Sequence, residues 1–155
     1  PVKRVEAALK LVQGKIRYVA IQMGASGLVP ADAAATWESR YGDCKDTAHL
    51  LAVMLREAGI KAGVATLAVR GDGQVVDNVP SPWGTHAIAV ATIDGTDHWL
   101  DTTATNLGWN VLPRDDRDRG QIRVLADALL DRRVQDLLDG VRSAEPAQPQ
   151  RVVSR

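Results

Sequence analysis

The stretch 41-YGDCKDTAHLLAVMLREAGIKA-62 decides how this chain folds, because its apolar residues keep one helical period from end to end. Cys44, Ala48, Leu51, Ala52, Leu55 and Ala58 recur at i, i+4, i+7, i+8, i+11 and i+14, which places them on one face of a helix. Asp43 is a good N-cap, with Asp46 three residues further on, and Gly59 is a good stop. The helix thus starts at Cys44, the only cysteine in the chain. A thiol there lies beside unpaired backbone N–H groups, whose dipole favours the thiolate, and its own N–H points to where an oxyanion would form. The competing reading is a small hydrophobe on the buried face of a helix. The partners of Cys44 decide between the two.

Downstream, 60-IKAGVATLAV-69 reads as a strand and 70-RGDGQVVDNVPSPWG-84 as a long loop, a lid or substrate rim with Trp83 as its hydrophobic contact point. The runs 85-THAIAVATI-93 and 96-TDHWLDTT-103 flank Asp94-Gly95, the strongest short signal for a hairpin. If Asp94 and Gly95 are the two loop residues, His86 faces Thr103 and Ile88 faces Asp101. His86 and Asp101 then share a face as diagonal neighbours, ~7–8 Å apart between backbones, and the carboxylate can reach the imidazole Nδ1–H. Asp101 should sit at a strand end near solvent. Ile88, Val90, Trp99 and Thr103 lie on the same face, a bulky set suited to packing on the cysteine helix, while Ala87, Ala89 and Ala91 form the other.

Of the three histidines, the remaining two read as bystanders. His98 has the opposite parity to His86 and points to the other face. His49 is five residues after Cys44, about 140° around the helix, on a side shared with Lys45 and Arg56, which predicts exposure to solvent.

Upstream, Val2, Val5, Ala8, Leu9 and Val12 fall at helical spacing up to Gly14. 15-KIRYVAIQ-22 suggests a short strand, and 31-ADAAATWESR-40 a short helix leading toward Tyr41. After Thr105, 106-NLGWNVLPRDDRDRGQIRVL-125 has no assigned role; packing across the site and joining another domain are both open. Ile122, Leu125, Leu129, Val134, Leu137, Leu138 and Val141 suggest an amphipathic helix, and residues 143–155 a disordered tail or linker.

The chain has 155 residues, enough for one domain with a real core, and its 19 basic residues balance 19 acidic ones without a basic stripe. Nucleic acid and anionic membrane are therefore poor partners, and no apolar run is long enough to span a bilayer. A single cysteine excludes an internal disulfide. Pro1 without a methionine or a signal-peptide pattern suggests a domain of a longer chain or a processed product.

Together, 40-RYGDCKDTAHLLAVMLREAGIKA-62 and 86-HAIAVATIDGTDHWLDTTA-104 resemble the bacterial transglutaminase-like superfamily. The motifs that carry the likeness are Gly-Asp-Cys at the helix start, His heading a strand and Asp ending the next. The resemblance implies an α+β, papain-like fold in which the helix bearing the nucleophilic cysteine packs on an antiparallel sheet. Its core would span about residues 5–104 of a domain covering 1–142. It implies Cys44 as nucleophile, His86 as general base and acid, and Asp101 as the residue that orients the imidazole. Cofactor and metal would both be none, and the substrate a peptide, protein or other amide. The likeness is closest to domains that follow a β-rich region in larger, often exported proteins, which slightly favours an exported location. Thr102 stands where the family commonly has proline. Gln22 and the indole of Trp37 are candidates for a second oxyanion donor. The rival to an enzyme is a non-catalytic module binding a peptide or polymer in the same groove, but loss of activity usually deletes a triad member, and here all three are present.

Overall fold

The computed structural model of the chain describes residues 1–20, 29–69, 85–117 and 123–124. The loop 70–84 with Trp83, Gln22, most of the expected helix over 122–141 and the tail from 143 lie outside the described residues. Everything described belongs to one compact unit, Pro1–Leu125. The fold is α+β, with the cysteine helix against an antiparallel sheet.

Helix α1 (Val2–Lys15) buries Val5, Leu9 and Val12. It runs one residue past Gly14, because the Ile16 N–H still reaches Val12 O at 2.9 Å before Ile16 turns extended. Strand β1 (Arg17–Tyr18) is only two residues long and pairs in parallel with β2 (Tyr41–Gly42). Between them, α2 (Ala33–Ser39) begins at Asp32, whose side chain accepts from the Ala34 and Ala35 N–H groups. Helix α3 (Cys44–Glu57) follows directly on β2.

The main sheet has the order β5-β4-β3-β6, formed by β3 (Lys61–Leu67), β4 (His86–Ile93), β5 (Thr96–Leu100) and a short β6 (Arg123–Val124). The hairpin register is the expected one, with Ala89 opposite Leu100 and Ile93 opposite Thr96. Asp94 and Gly95 carry it at φ 50° and 78°. Two consecutive left-handed residues give the turn twist that matches the strands, which is why Asp-Gly is favoured there. β6 corrects the start of the helix expected from Ile122: Arg123 and Val124 pair instead with Thr66 and Ala65 of β3, whose free edge supplies the partners.

The bulky face of the hairpin is closed differently from expectation. Ala65, Leu67 and Ile88 are buried together, and the residues packed against them are Val69, Trp99 and Leu112. Leu112 belongs to the segment that follows Thr105. On the opposite face, Trp109 of the same segment meets His98, with ring centroids 5.1 Å apart. Residues 105–117 therefore wrap around β5 and cover an edge of the sheet, a place where unpaired strand groups need protection.

Candidate active site

The start of α3 is built before Cys44 is reached. Asp43 caps the helix, its Oδ1 accepting from Lys45 N at 3.1 Å and Asp46 N at 3.2 Å. Asp46 replies, accepting the Asp43 N–H at 3.1 Å, so the capping box is complete. Asp43 also pairs with the Lys45 ammonium. Gly42 is required by closeness: a Cβ there would stand 2.8 Å from Asp46 Cβ and 3.2 Å from Thr36 Cγ2. The Gly-Asp segment ahead of the cysteine is thus a packing solution that lets β2 run tight against the helix it launches.

Asp46 is not only a cap. Its Oδ1 accepts the Ala31 N–H at 2.8 Å, while the Ala31 carbonyl accepts from His49 Nδ1 at 3.0 Å. His49 is 6% exposed. The expected exposure of His49 is therefore corrected: α2 packs on the flank of α3 that a single-stripe reading assigns to solvent, and α3 has two covered sides. His49 Nε2 is buried without a hydrogen-bond partner among the described residues.

Cys44 is half-buried, with a free thiol. His86 opens β4 and Asp101 follows β5, and their Nε2 and Oδ2 atoms are 3.4 Å apart. That is an ion-pair distance, longer than a closed charge-assisted bond. The other oxygen of Asp101 accepts from the Thr103 N–H at 2.8 Å and the Thr103 hydroxyl at 2.7 Å. Gln13 of α1 donates to the carbonyls of Asp101 and Ala104, at 3.2 and 3.1 Å. The hydroxyls of Thr47 and Thr102 are 2.7 Å apart, tying α3 to the strand exit by a contact that the family's proline could not make.

Two expectations change here. Asp101 is buried, 6% exposed, rather than near solvent. The imidazole is also turned over relative to the expected arrangement, since Nε2 and not Nδ1 faces the carboxylate. The register fixed which residues meet but carried no information on the rotamer.

Electrostatics bind the three groups together. Burial pushes the His86 pKa down, but the hydrogen bonds and charges of Asp101 and Cys44 outweigh it and hold the imidazole at about 10, against an ordinary 6.5. Asp101 is held below the usual carboxylate range; burial works against this, and His86 and the Thr103 donors override it. The Tyr18 hydroxyl of β1 is pushed up by burial and by the charges of Cys44, Asp43 and Asp101.

Sequence reasoning missed one member of the cluster. A 3₁₀ turn, Arg114–Asp116, brings Asp116 Oδ2 to 4.0 Å from His86 Nε2. Asp116 is 4% exposed, and burial together with the Asp101 charge lifts its carboxyl to about 6, His86 acting the other way. Nothing in the local sequence separates Asp116 from Asp115; the wrap around β5 makes the difference. His86, Asp101 and Asp116 offer ligand atoms within 4.8 Å of one another, so they are also the group among the described residues that could receive a cation. Of the oxyanion candidates, Gln22 lies outside the described residues, and Trp37 carries the Arg40 guanidinium 3.9 Å above its ring.

A family model for the transglutaminase-like superfamily matches residues 1–109. The chain belongs to that superfamily. Among solved structures, a candidate protease from Parabacteroides distasonis superposes with a TM-score of 0.54 at 20% identity, over 72% of this chain and 25% of that one. A candidate cysteine protease from Cytophaga hutchinsonii does so with a TM-score of 0.50 at 23% identity, over 74% of this chain and 38% of the other. The transglutaminase-like chain thus spans well under half the length of these structural neighbours, and the likeness establishes a shared fold. A search of curated proteins gave no match. The superfamily is one of cysteine-dependent catalysts, and the matched region contains Cys44, His86 and Asp101. Among the described residues, no helix is long and apolar enough to cross a membrane.

Proposed function

We propose that Cys44, His86 and Asp101 are a nucleophile, base and orienting carboxylate that carry out acyl transfer at an amide. The observation that carries this reading is the His86 imidazole, its Nε2 3.4 Å from Asp101 Oδ2 and its pKa raised, against burial, by Asp101 and Cys44 together. His86 takes the thiol proton, giving a thiolate beside an imidazolium that Asp101 stabilises.

The thiolate attacks the amide carbonyl carbon, and the resulting oxyanion lies near the N-terminus of α3, where backbone N–H groups stabilise it. His86 returns the proton to the leaving amine, the C–N bond breaks and a thioester remains on Cys44. Water or a second amine then attacks the thioester, with His86 removing its proton, and the thiol is restored. Water gives a peptidase or amidase outcome, and an amine gives transamidation.

The test is intact-mass analysis of the chain incubated with amide-bearing and glutamine-bearing peptides, with and without an added primary amine. An acyl adduct on Cys44 that vanishes in Cys44→Ser is expected, with acid or amide product showing which nucleophile resolves it. Iodoacetamide alkylation supplies a substrate-free control. If Cys44 reacts at the same rate in His86→Ala as in the wild type, the two residues do not work together and the reading fails.

A further inference from the structure

We propose that His86, Asp101 and Asp116 bind a divalent transition cation of the Zn²⁺ type, and that the bound cation takes His86 out of the reaction. The site stands on geometry; its effect on the chemistry rests on His86 serving as the base described above.

The three side chains converge from separate elements. His86 opens β4, Asp101 follows β5, and the turn after Pro113 brings in Asp116. His86 Nε2 lies 3.4 Å from Asp101 Oδ2 and 4.0 Å from Asp116 Oδ2, and one ligand atom from each residue falls within 4.8 Å of the others. Two ligands of a tetrahedral Zn²⁺, each at about 2.1 Å, stand about 3.4 Å apart. The His86–Asp101 pair already has that spacing, and Asp116 needs to close by on the order of an ångström.

What points to a ligand is Asp116. It is 4% exposed, and its Oδ2, turned toward His86, has no hydrogen-bond partner among the described residues. A carboxyl oxygen buried in that state is costly. Among the described residues, the ion-pair partner of both Asp101 and Asp116 is His86, and one imidazolium cannot neutralise two carboxylates. A doubly charged cation can.

The surroundings hold the ligands in place. The second oxygen of Asp101 is taken by the Thr103 N–H and hydroxyl, which leaves Oδ2 to face the site. Arg117 Nε donates to Leu112 O at 2.7 Å and pins the turn that carries Asp116, while Leu112 is seated on the Ala65–Leu67–Ile88 cluster. One imidazole nitrogen with two carboxylate oxygens suits Zn²⁺ and its neighbours, whereas Ca²⁺ and Mg²⁺ favour all-oxygen sites. Coordination through Nε2 releases any proton held there to solvent. The other ring nitrogen then carries its hydrogen, so no lone pair is left for the Cys44 proton.

The test is equilibrium dialysis of Zn²⁺ against the EDTA-stripped full chain as wild type, Cys44→Ser and Asp116→Asn. One Zn²⁺ per chain should bind the wild type, remain in Cys44→Ser and resist excess Ca²⁺ and Mg²⁺. Asp116→Asn should bind at least about tenfold more weakly, since losing even an outer-shell partner costs that much. Bound Zn²⁺ should also shift the NMR ring resonances of His86, identified by their absence in His86→Ala, and leave those of His49 and His98 in place. That readout needs no Asp116 variant to fold. Iodoacetamide alkylation of Cys44 should slow when Zn²⁺ is added and recover with EDTA.

No saturable binding to the wild type overturns the proposal. So does binding that is lost in Cys44→Ser, unchanged in Asp116→Asn or displaced by Ca²⁺ or Mg²⁺, and so does a shift at His49 or His98 instead of His86. Zn²⁺ that binds as expected without slowing alkylation overturns the blocking of the base. Alkylation indifferent to His86→Ala removes the reading beneath it, and the dialysis still decides the cation site by itself.

Discussion

Replacing Asp101 with asparagine isolates the charge from the shape. The amide oxygen can still accept from the Thr103 N–H and hydroxyl, so the turn after β5 keeps its bonds. What disappears is a negative charge 3.4 Å from His86 Nε2. At that separation, Coulomb's law gives about 5 kcal/mol for an effective dielectric of about 20 and about 1 kcal/mol in bulk water. At 1.36 kcal/mol per unit this is about 1 to 3.5 pH units of imidazole pKa. The site lies between the two limits, since the His86 side chain is 13% and that of Asp101 3% exposed. The His86 pKa should accordingly fall from about 10 by about 1–3 units, read from its ring resonances. Alkylation of Cys44 at neutral pH should slow, because the imidazolium that stabilises the thiolate is weakened. Asp101→Ala should be slower still and also lose about 1–3 kcal/mol of stability, since the two Thr103 donors are left without an acceptor. The expected order is wild type, then Asn, then Ala. An imidazole that titrates at the same pH in wild type and Asp101→Asn would show that the carboxylate does not govern it, and the Coulomb estimate would be refuted with it.

Gly42→Ala should be about 1–3 kcal/mol less stable and react more slowly at Cys44, because the new Cβ, 2.8 Å from Asp46 Cβ, pushes apart the capping box; denaturation and alkylation read both. His49→Ala should lose about 1–3 kcal/mol of stability, as the Ala31 carbonyl loses its donor, while the folded protein still alkylates Cys44 as wild type does; a slow, fully folded variant would show that His49 reaches the chemistry. Stability should also depend on pH in a defined direction. The raised His86 pKa gives a contribution fully present below about 6.5 and lost as pH climbs through about 10, and the lowered Asp101 pKa gives one present above about 3.8 and lost in acid. The gap in melting temperature between wild type and His86→Ala should therefore close on the alkaline side, and a gap that widens there would reverse the sign.

What could be read from the sequence was whatever depended on period and parity. The start, cap and stop of α3 followed from Asp43, Asp46 and Gly59, and the hairpin register from Asp94-Gly95 alone. That register was enough to place His86 and Asp101 together. What escaped was decided by contacts between distant segments. His49 looked exposed because one helical stripe cannot reveal that α2 covers a second flank. The orientation of the His86 ring depends on a rotamer, which strand parity does not encode. Asp116 sits in a charged run, Arg114 to Arg117, where no period exists to single it out.

The wrap of residues 105–117 around β5 also changes where this folded unit ends. The family match stops at residue 109, after Asp101, and Leu112 and Asp116 come later. A chain trimmed to that boundary would hold every residue by which the superfamily is recognised. It would nevertheless expose the apolar patch around Ile88 and leave His86 with one neighbouring carboxyl instead of two. Poor solubility in such a fragment would say nothing against the proposed triad. It would mark residues 110–117 as part of the folded unit, although the family match does not reach them.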